Sequence, residues 1–278
     1  MSIANLFLEP RLRGVDLQGY ERIGLHAEIL AQKPLIREVF KEFYDTSISL
    51  DRIYFDHVAG DRVELGAGTS LFRQYYSDVT STDVQPAPHL DAVIDAQDMN
   101  LRDESVRAIF CINCFHHFAD PCKFFDELLR VLKTGGGCVV IDPYFGLLSR
   151  ILYKRLFSSE AYDCNAQDWH YCAGDDKKSA RPNQALSYIV FFKDRARFNT
   201  LFPQLEIVHS GVLSNYVRYL LSGGLNFRQV IPSFLIPLLR KLELAFLRLA
   251  PIFALHHVVV IRKRKSGSRP EVPMVSYR

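Results

Sequence analysis

The sequence predicts an α/β protein built on a doubly wound, mostly parallel sheet of seven strands, with helical insertions after the fifth and sixth. Three observations predict it. Short apolar runs alternate with amphipathic helices, the pattern of a parallel sheet covered on both faces. A glycine-rich turn, Gly66-Ala67-Gly68, stands between an extended segment and a helix. Several strand candidates end on polar residues, among them Asp83, Asn113 and Asp142, and an open α/β sheet binds its ligands beyond such carboxyl ends.

Taken in order, residues 18–50 read as helices, with Ile29, Leu30, Leu35, Ile36, Val39, Phe40 and Phe43 at helical spacing. Arg62–Leu65 is the first strand and Leu71–Tyr76 the helix after the turn. Ser77–Asp83 is the second strand and Ala92–Ile94 a weaker third. Val106–Ile112 is the strongest strand, followed by a helix from Pro121 to Leu132 whose Phe124, Phe125, Leu128, Leu129 and Leu132 share one face. Lys133–Gly137 should stop that helix, and Cys138–Asp142 is the fifth strand. Regularity breaks over 143–190, returns with a helix at 193–202 and a strand at Leu205–His209, breaks again over 211–255, and ends with a strand at His256–Ile261. The chain therefore reads as one domain over residues 1–265, with insertions 143–190 and 211–255. The polar tail 266–278 is expected to be disordered.

Composition narrows the function classes. With 48% hydrophobic and 12% aromatic residues, the 278-residue chain can bury a large core. A net charge of +3 is too small to point to nucleic acid, and the basic excess is local, at Arg262–Lys265. No window of about 18 residues lacks charge, so no spanning helix is expected. The opening residues lack the layout of a signal peptide. The six cysteines lie in apolar or mixed sequence and suit a reducing, cytoplasmic compartment.

The glycine turn can bring a ligand close to the backbone, because glycine has no Cβ. A dinucleotide fingerprint needs a third glycine, and Leu71 stands in its place. NAD and FAD are thereby disfavoured. The segment Glu64-Leu65-Gly66-Ala67-Gly68, with Ser70 where a last glycine would stand, instead resembles the first motif of the class I S-adenosylmethionine-dependent methyltransferases. The resemblance extends to Asp83, to Asp98-Met99, to Asn113-Cys114-Phe115-His116-His117-Phe118 and to Leu132–Gly137, in that order. It implies a Rossmann-like methyltransferase fold and S-adenosyl-L-methionine as cofactor. It also implies roles: Glu64 orients the turn and the cofactor's amino group, and Gly66, Ala67 and Gly68 face the methionine part. Asp83, with Val84 beside it, takes the ribose hydroxyls. Asp98 takes the adenine amine with Met99 against the ring, Asp95 and Gln97 being rivals. Asn113 and Cys114 meet the methionine moiety.

Methyl transfer depends first on position, and for a hydroxyl acceptor also on removal of a proton. His116, His117 and Asp142 lie at strand ends, and histidine titrates near neutrality. His117 is preferred as base, with packing and capping the alternative for the pair, and Asp142 could bind an acceptor hydroxyl. Cys111, Cys114, His116 and His117 could be read as zinc ligands, but strand alternation should send Cys111 and Cys114 to opposite faces, so no metal site is expected.

Both insertions leave from strand carboxyl ends, on the cofactor's side of the sheet. Trp169, His170, Tyr171, Arg181, Asn183 and Gln184 would suit a sugar, and simple loop packing is the bland alternative. The second insertion is strongly apolar with interspersed cations, so residues 225–265 suit contact with the inner face of a membrane, a homodimer interface or packing on the domain's own core. The acceptor expected is a small or lipid-linked molecule, such as a sugar hydroxyl of a glycan precursor. A quinone or polyketide, or a non-catalytic cofactor-binding module, are the alternatives.

Overall fold

The computed structural model describes residues 7–15, 21–155, 160–171 and 182–265. Arg181 of the expected acceptor set, Cys172 and the tail 266–278 lie outside the described residues.

Seven strands form one sheet in the order β3-β2-β1-β4-β5-β7-β6. They are β1 (Asp61–Leu65), β2 (Val79–Asp83), β3 (Ala92–Val93), β4 (Val106–Ile112), β5 (Leu132–Pro143), β6 (Leu205–Val212) and β7 (His256–Lys263). Strand β7 runs antiparallel to both β5 and β6, and the other pairings are parallel. Chain order reverses direction across the sheet between β1 and β4, the switch point where such sheets open a crevice.

The central strands are buried on both faces, with side chains alternating between two cores. Ile109, Cys111, Cys138 and Val140 face one cluster, and Ala108, Phe110, Val139 and Ile141 face the other. On the second face lies α2 (Pro34–Phe55), which follows α1 (Glu21–Gln32); it buries Leu35, Ile36, Val39, Phe43, Ile48 and Phe55 at helical spacing. Proline at its first turn costs no hydrogen bond, since that N–H would be unpaired anyway. On the first face lies α4 (Pro121–Val131), reached after the single-turn α3 (Phe72–Tyr75). Asp120 caps α4, accepting from the backbone N–H groups of Cys122 at 3.0 Å and Lys123 at 3.2 Å.

The glycine run expected to stop α4 lies inside β5 instead. A Cβ on Gly136 would stand 2.5 Å from the Arg107 carbonyl oxygen, and one on Gly137 would collide with the Ile261 carbonyl and the Phe55 ring. These glycines let neighbouring chains approach, and the helix simply ends at Val131.

The remaining elements follow β5 and β6. After β5 come α5 (Leu147–Arg155) and α6 (Leu186–Tyr188), which continues as a wide turn over Ile189–Lys193, and then α7 (Arg195–Leu201). After β6 come α8 (Tyr216–Ser222), α9 (Ile236–Ala245) and the short α10 (Ala250–Phe253).

Candidate active site

A cavity of about 480 Å³ opens at the switch point, within the range of roughly 300–1,000 Å³ usual for small-molecule sites. One wall is the turn after β1. Gly66 and Gly68 have φ of 64° and 52°, a left-handed conformation that favours glycine. A Cβ on Gly66 would lie 2.5 Å from the Cβ of Cys114, so the turn is pressed against the chain leaving β4. A Cβ on Gly68 would meet only Asp83 Oδ2, at 4.0 Å. The space above Gly68 is therefore an open cradle at the cavity wall. Asp83 closes it from the end of β2, accepting from Gly68 N at 2.8 Å through Oδ2 and from Gln85 N at 2.9 Å through Oδ1. Each oxygen keeps a lone pair for a further donor.

Sequence-derived candidates divide between wall and foundation. Gly66, Ala67, Gly68, Asp83, Val84, Asn113, Cys114, His116 and His117 line the cavity. Glu64 does not; it is buried behind the turn, where its Oε2 accepts from Ser81 Oγ at 2.8 Å and ties β1 to β2. Burial raises its pKa to about 7. Asp98 is exposed and Met99 buried, and neither belongs to the lining, whereas Asp95 and Gln97 do. Asp142 lies wholly buried behind His116.

Asn113 adopts φ 54° and its N–H donates to the Ile141 carbonyl at 2.8 Å. Asparagine tolerates this left-handed turn better than most residues. The reversal overturns the expectation that Cys111 and Cys114 point apart, because the strand alternation ends at Ile112. Both lie in one core cluster, where the Cys114 thiol donates to the Leu65 carbonyl at 3.2 Å. Burial drives the Cys111 thiol well up, and the neighbouring Cys111 thiol, followed by burial, does so for Cys114. Both thiols stay protonated and act as core packing.

Opposite the turn stands a chain of ionisable groups. His116 Nδ1 lies 2.9 Å from Asp142 Oδ1, and its Nε2 lies 3.2 Å from Glu160 Oε2. Burial alone would lower the His116 pKa, but Asp142 and then Glu160 outweigh it and raise it to about 10. At neutral pH His116 is therefore an imidazolium that donates to both carboxylates. The other oxygen of Glu160 faces His117 Nε2 at 3.6 Å, and the two imidazole rings are 4.3 Å apart. Glu160, Gln184, Tyr153, Tyr219 and Asn226 complete this end of the cavity. None of these five was picked out for chemistry except Gln184. Glu160 sits in an irregular segment with no motif around it, so only the fold brings it to His116.

His116, His117 and Glu160 also offer three ligand atoms within 4.8 Å of one another, a set able to hold a divalent cation. Asp120, Cys122 and His170 form a second such group, although the Asp120 carboxylate already caps α4.

Residues 63–140 match the family described as "Methyltransferase domain". Residues 63–140 carry an S-adenosylmethionine-dependent methyltransferase domain. Solved structures similar to this methyltransferase include the YcgJ protein of Bacillus subtilis, at 18% identity over 80% of this chain and all of that one, with a TM-score of 0.43. Another is phosphoethanolamine N-methyltransferase 2 of Haemonchus contortus in complex with S-adenosyl-L-methionine, at 12% identity over 92% of this chain and 60% of that one, with a TM-score of 0.46. S-adenosyl-L-methionine is the methyltransferase's cofactor, and the open cradle above Gly68 with the two-oxygen clasp of Asp83 fits it.

Proposed function

We propose that this methyltransferase acts on a hydroxyl of a small, uncharged, polyhydroxyl acceptor, such as a sugar of a glycan precursor. Bound S-adenosylmethionine supplies an electrophilic methyl group on a good leaving group. Gly66, Ala67 and Gly68 present backbone to its methionine part, with Asn113 and Cys114 closing against it. Asp83 takes the ribose hydroxyls with Val84 alongside. Asp95 and Gln97, rather than Asp98, take the adenine edge, because they line the cavity and Asp98 does not.

The observation that carries the reading is the Asp142–His116–Glu160–His117 chain at the far end of the same cavity. His116 gives both its N–H groups to carboxylates, so it fixes Glu160 in place and is not the free base. The acceptor's proton passes to the His117–Glu160 pair, both of which face the cavity. Asp142 holds His116 from behind and is a positioning residue. The acceptor class follows from charge. Asp83, Asp95 and Glu160 line the cavity, and among the described lining residues there is no lysine or arginine. The His116 imidazolium is already shared between Asp142 and Glu160, so a phosphate or carboxylate beside Glu160 would meet net negative charge. A hydroxyl-rich ring finds donors and acceptors in His117, Gln184 and Asn226, with Tyr153 and Tyr219 in the wall beside them.

The test is transfer of a tritiated methyl group to fractionated aqueous and lipid extracts. Label in an O-methyl sugar is expected. Label confined to a quinone, a polyketide phenol or an amine would overturn the acceptor assignment.

A further inference from the structure

From the outer face of residues 234–252 and of α5, we infer a docking surface for an anionic lipid bilayer. Helix α9 turns Leu239 and Glu243 inward and leaves an outward face that is apolar where a surface helix is ordinarily polar. Phe234 and Leu244 are 79% and 67% exposed, and Leu238, Phe246, Leu249 and Ile252 are exposed beside them. Helix α5, which contacts α10, adds the exposed Leu147 and Ile151. Apolar surface in this quantity marks an interaction site.

Charge decides the occupant. Lys241 and Arg248 are exposed among these apolar side chains, and α5 contributes Arg150, Lys154 and Arg155; Arg240 is exposed too, but it is paired with Glu38 and Glu42 of α2. The only acid between positions 234 and 252 is Glu243, which is buried and paired with Arg218 at 2.6 Å. A second copy meeting this face about a two-fold axis would set its cations against the same cations. A leaflet of anionic headgroups over acyl chains complements both features at once, with apolar groups entering the boundary and cations meeting phosphates. Among the described residues no helix is long and apolar enough to cross a membrane, so the contact is peripheral.

The face lies one helix layer from the chemistry. Helix α9 packs on α8, whose Tyr219 lines the cavity, and α5 turns Tyr153 into the cavity while Leu147 and Ile151 face outward. A docked enzyme therefore holds the acceptor end of its cavity near the lipid, which deepens the reading above by making the acceptor lipid-borne.

The test is flotation of the full chain, without cofactor or acceptor, on vesicles of phosphatidylcholine alone and of phosphatidylcholine with phosphatidylglycerol. Binding to the anionic vesicles is expected, weakening as salt rises. Phe234→Ser/Leu244→Ser and Lys241→Glu/Arg248→Glu should each reduce it about tenfold or more, and exposed positions leave the melting curve unchanged. No flotation on anionic vesicles, equal flotation of the variants, or a dimer in sedimentation equilibrium that the serine variant alone dissolves would overturn the inference. A failed flotation leaves the transfer chemistry standing, and a failed transfer assay leaves the docking standing, because neither measurement uses the other's ligand.

Discussion

The two ends of the cavity are built in different ways. The cofactor end is backbone held at strand termini: left-handed Gly66 and Gly68, the β2 carboxylate of Asp83, and the left-handed turn at Asn113. The acceptor end is side chains from distant segments: His116 after β4, Glu160 beyond α5, Gln184 before α6, Tyr219 on α8 and Asn226 after it. Backbone geometry at strand ends follows from local sequence and repeats wherever the sheet repeats. Side-chain chemistry assembled from insertions is free to vary without disturbing the sheet. On the function proposed above, the difference separates cofactor binding from acceptor chemistry, and mutations can break that separation or sharpen it.

The largest effect belongs to the acceptor end. His117→Ala or Glu160→Gln should lower the methyl-transfer rate by roughly 10²–10⁴ while leaving the cofactor Kd within about twofold, because a positioned proton acceptor contributes on that scale. Asp142→Asn should fall in the same direction through loss of the His116 orientation. Next is Asp83→Ala, which removes a charged acceptor from the cofactor end. The cofactor Kd measured by calorimetry should rise about 100-fold, the equivalent of one or two charge-assisted hydrogen bonds.

Glu64 gives a pH-dependent prediction of intermediate size. Its folded pKa of about 7 lies above its ordinary value of 4.5, so the folded state holds a proton that the unfolded chain gives up. Stability from this group is present below pH 4.5 and falls as pH rises to about 7. Glu64→Gln should therefore be about as stable as the parent at pH 4.5 and more stable at pH 8, by roughly 3 kcal/mol. A variant that melted lower at pH 8 would show that the ionised Glu64 is favourable where it sits. The smallest effect is Gly68→Ala. Nothing within 4 Å except Asp83 Oδ2 opposes the new Cβ, so only the left-handed φ of 52° costs stability, about 1 kcal/mol. Cofactor affinity should drop by more than that stability loss implies, since the methyl group enters the cradle.

The same contrast explains what could be read from the sequence. The alternation of strands and helices and the glycine turn were legible because periodicity and glycine placement act locally. Asp83 was legible for the same reason, as the last residue of a short strand. Which acid after β3 lines the cavity was not, because Asp95 and Asp98 differ only in how a tight turn is wound: Gln97 N donates to Asp95 Oδ1 at 2.8 Å and Asp98 N to Asp95 O at 3.1 Å. That winding puts Asp95 at the lining and Asp98 in solvent. The glycine run at 135–137 misled for another physical reason. Glycine serves a helix stop and a close strand approach equally well, and only the neighbouring chains distinguish them. Glu160 was invisible because its partner, His116, is 44 positions away.

The most direct test of the separation between the two ends is a paired measurement on Glu160→Gln: calorimetric binding of S-adenosylmethionine, and single-turnover transfer of its labelled methyl group to the acceptor pool. Binding within about twofold of the parent, with transfer slowed at least about 100-fold, is the predicted result. Transfer at the parent rate, or loss of cofactor binding together with transfer, would contradict it.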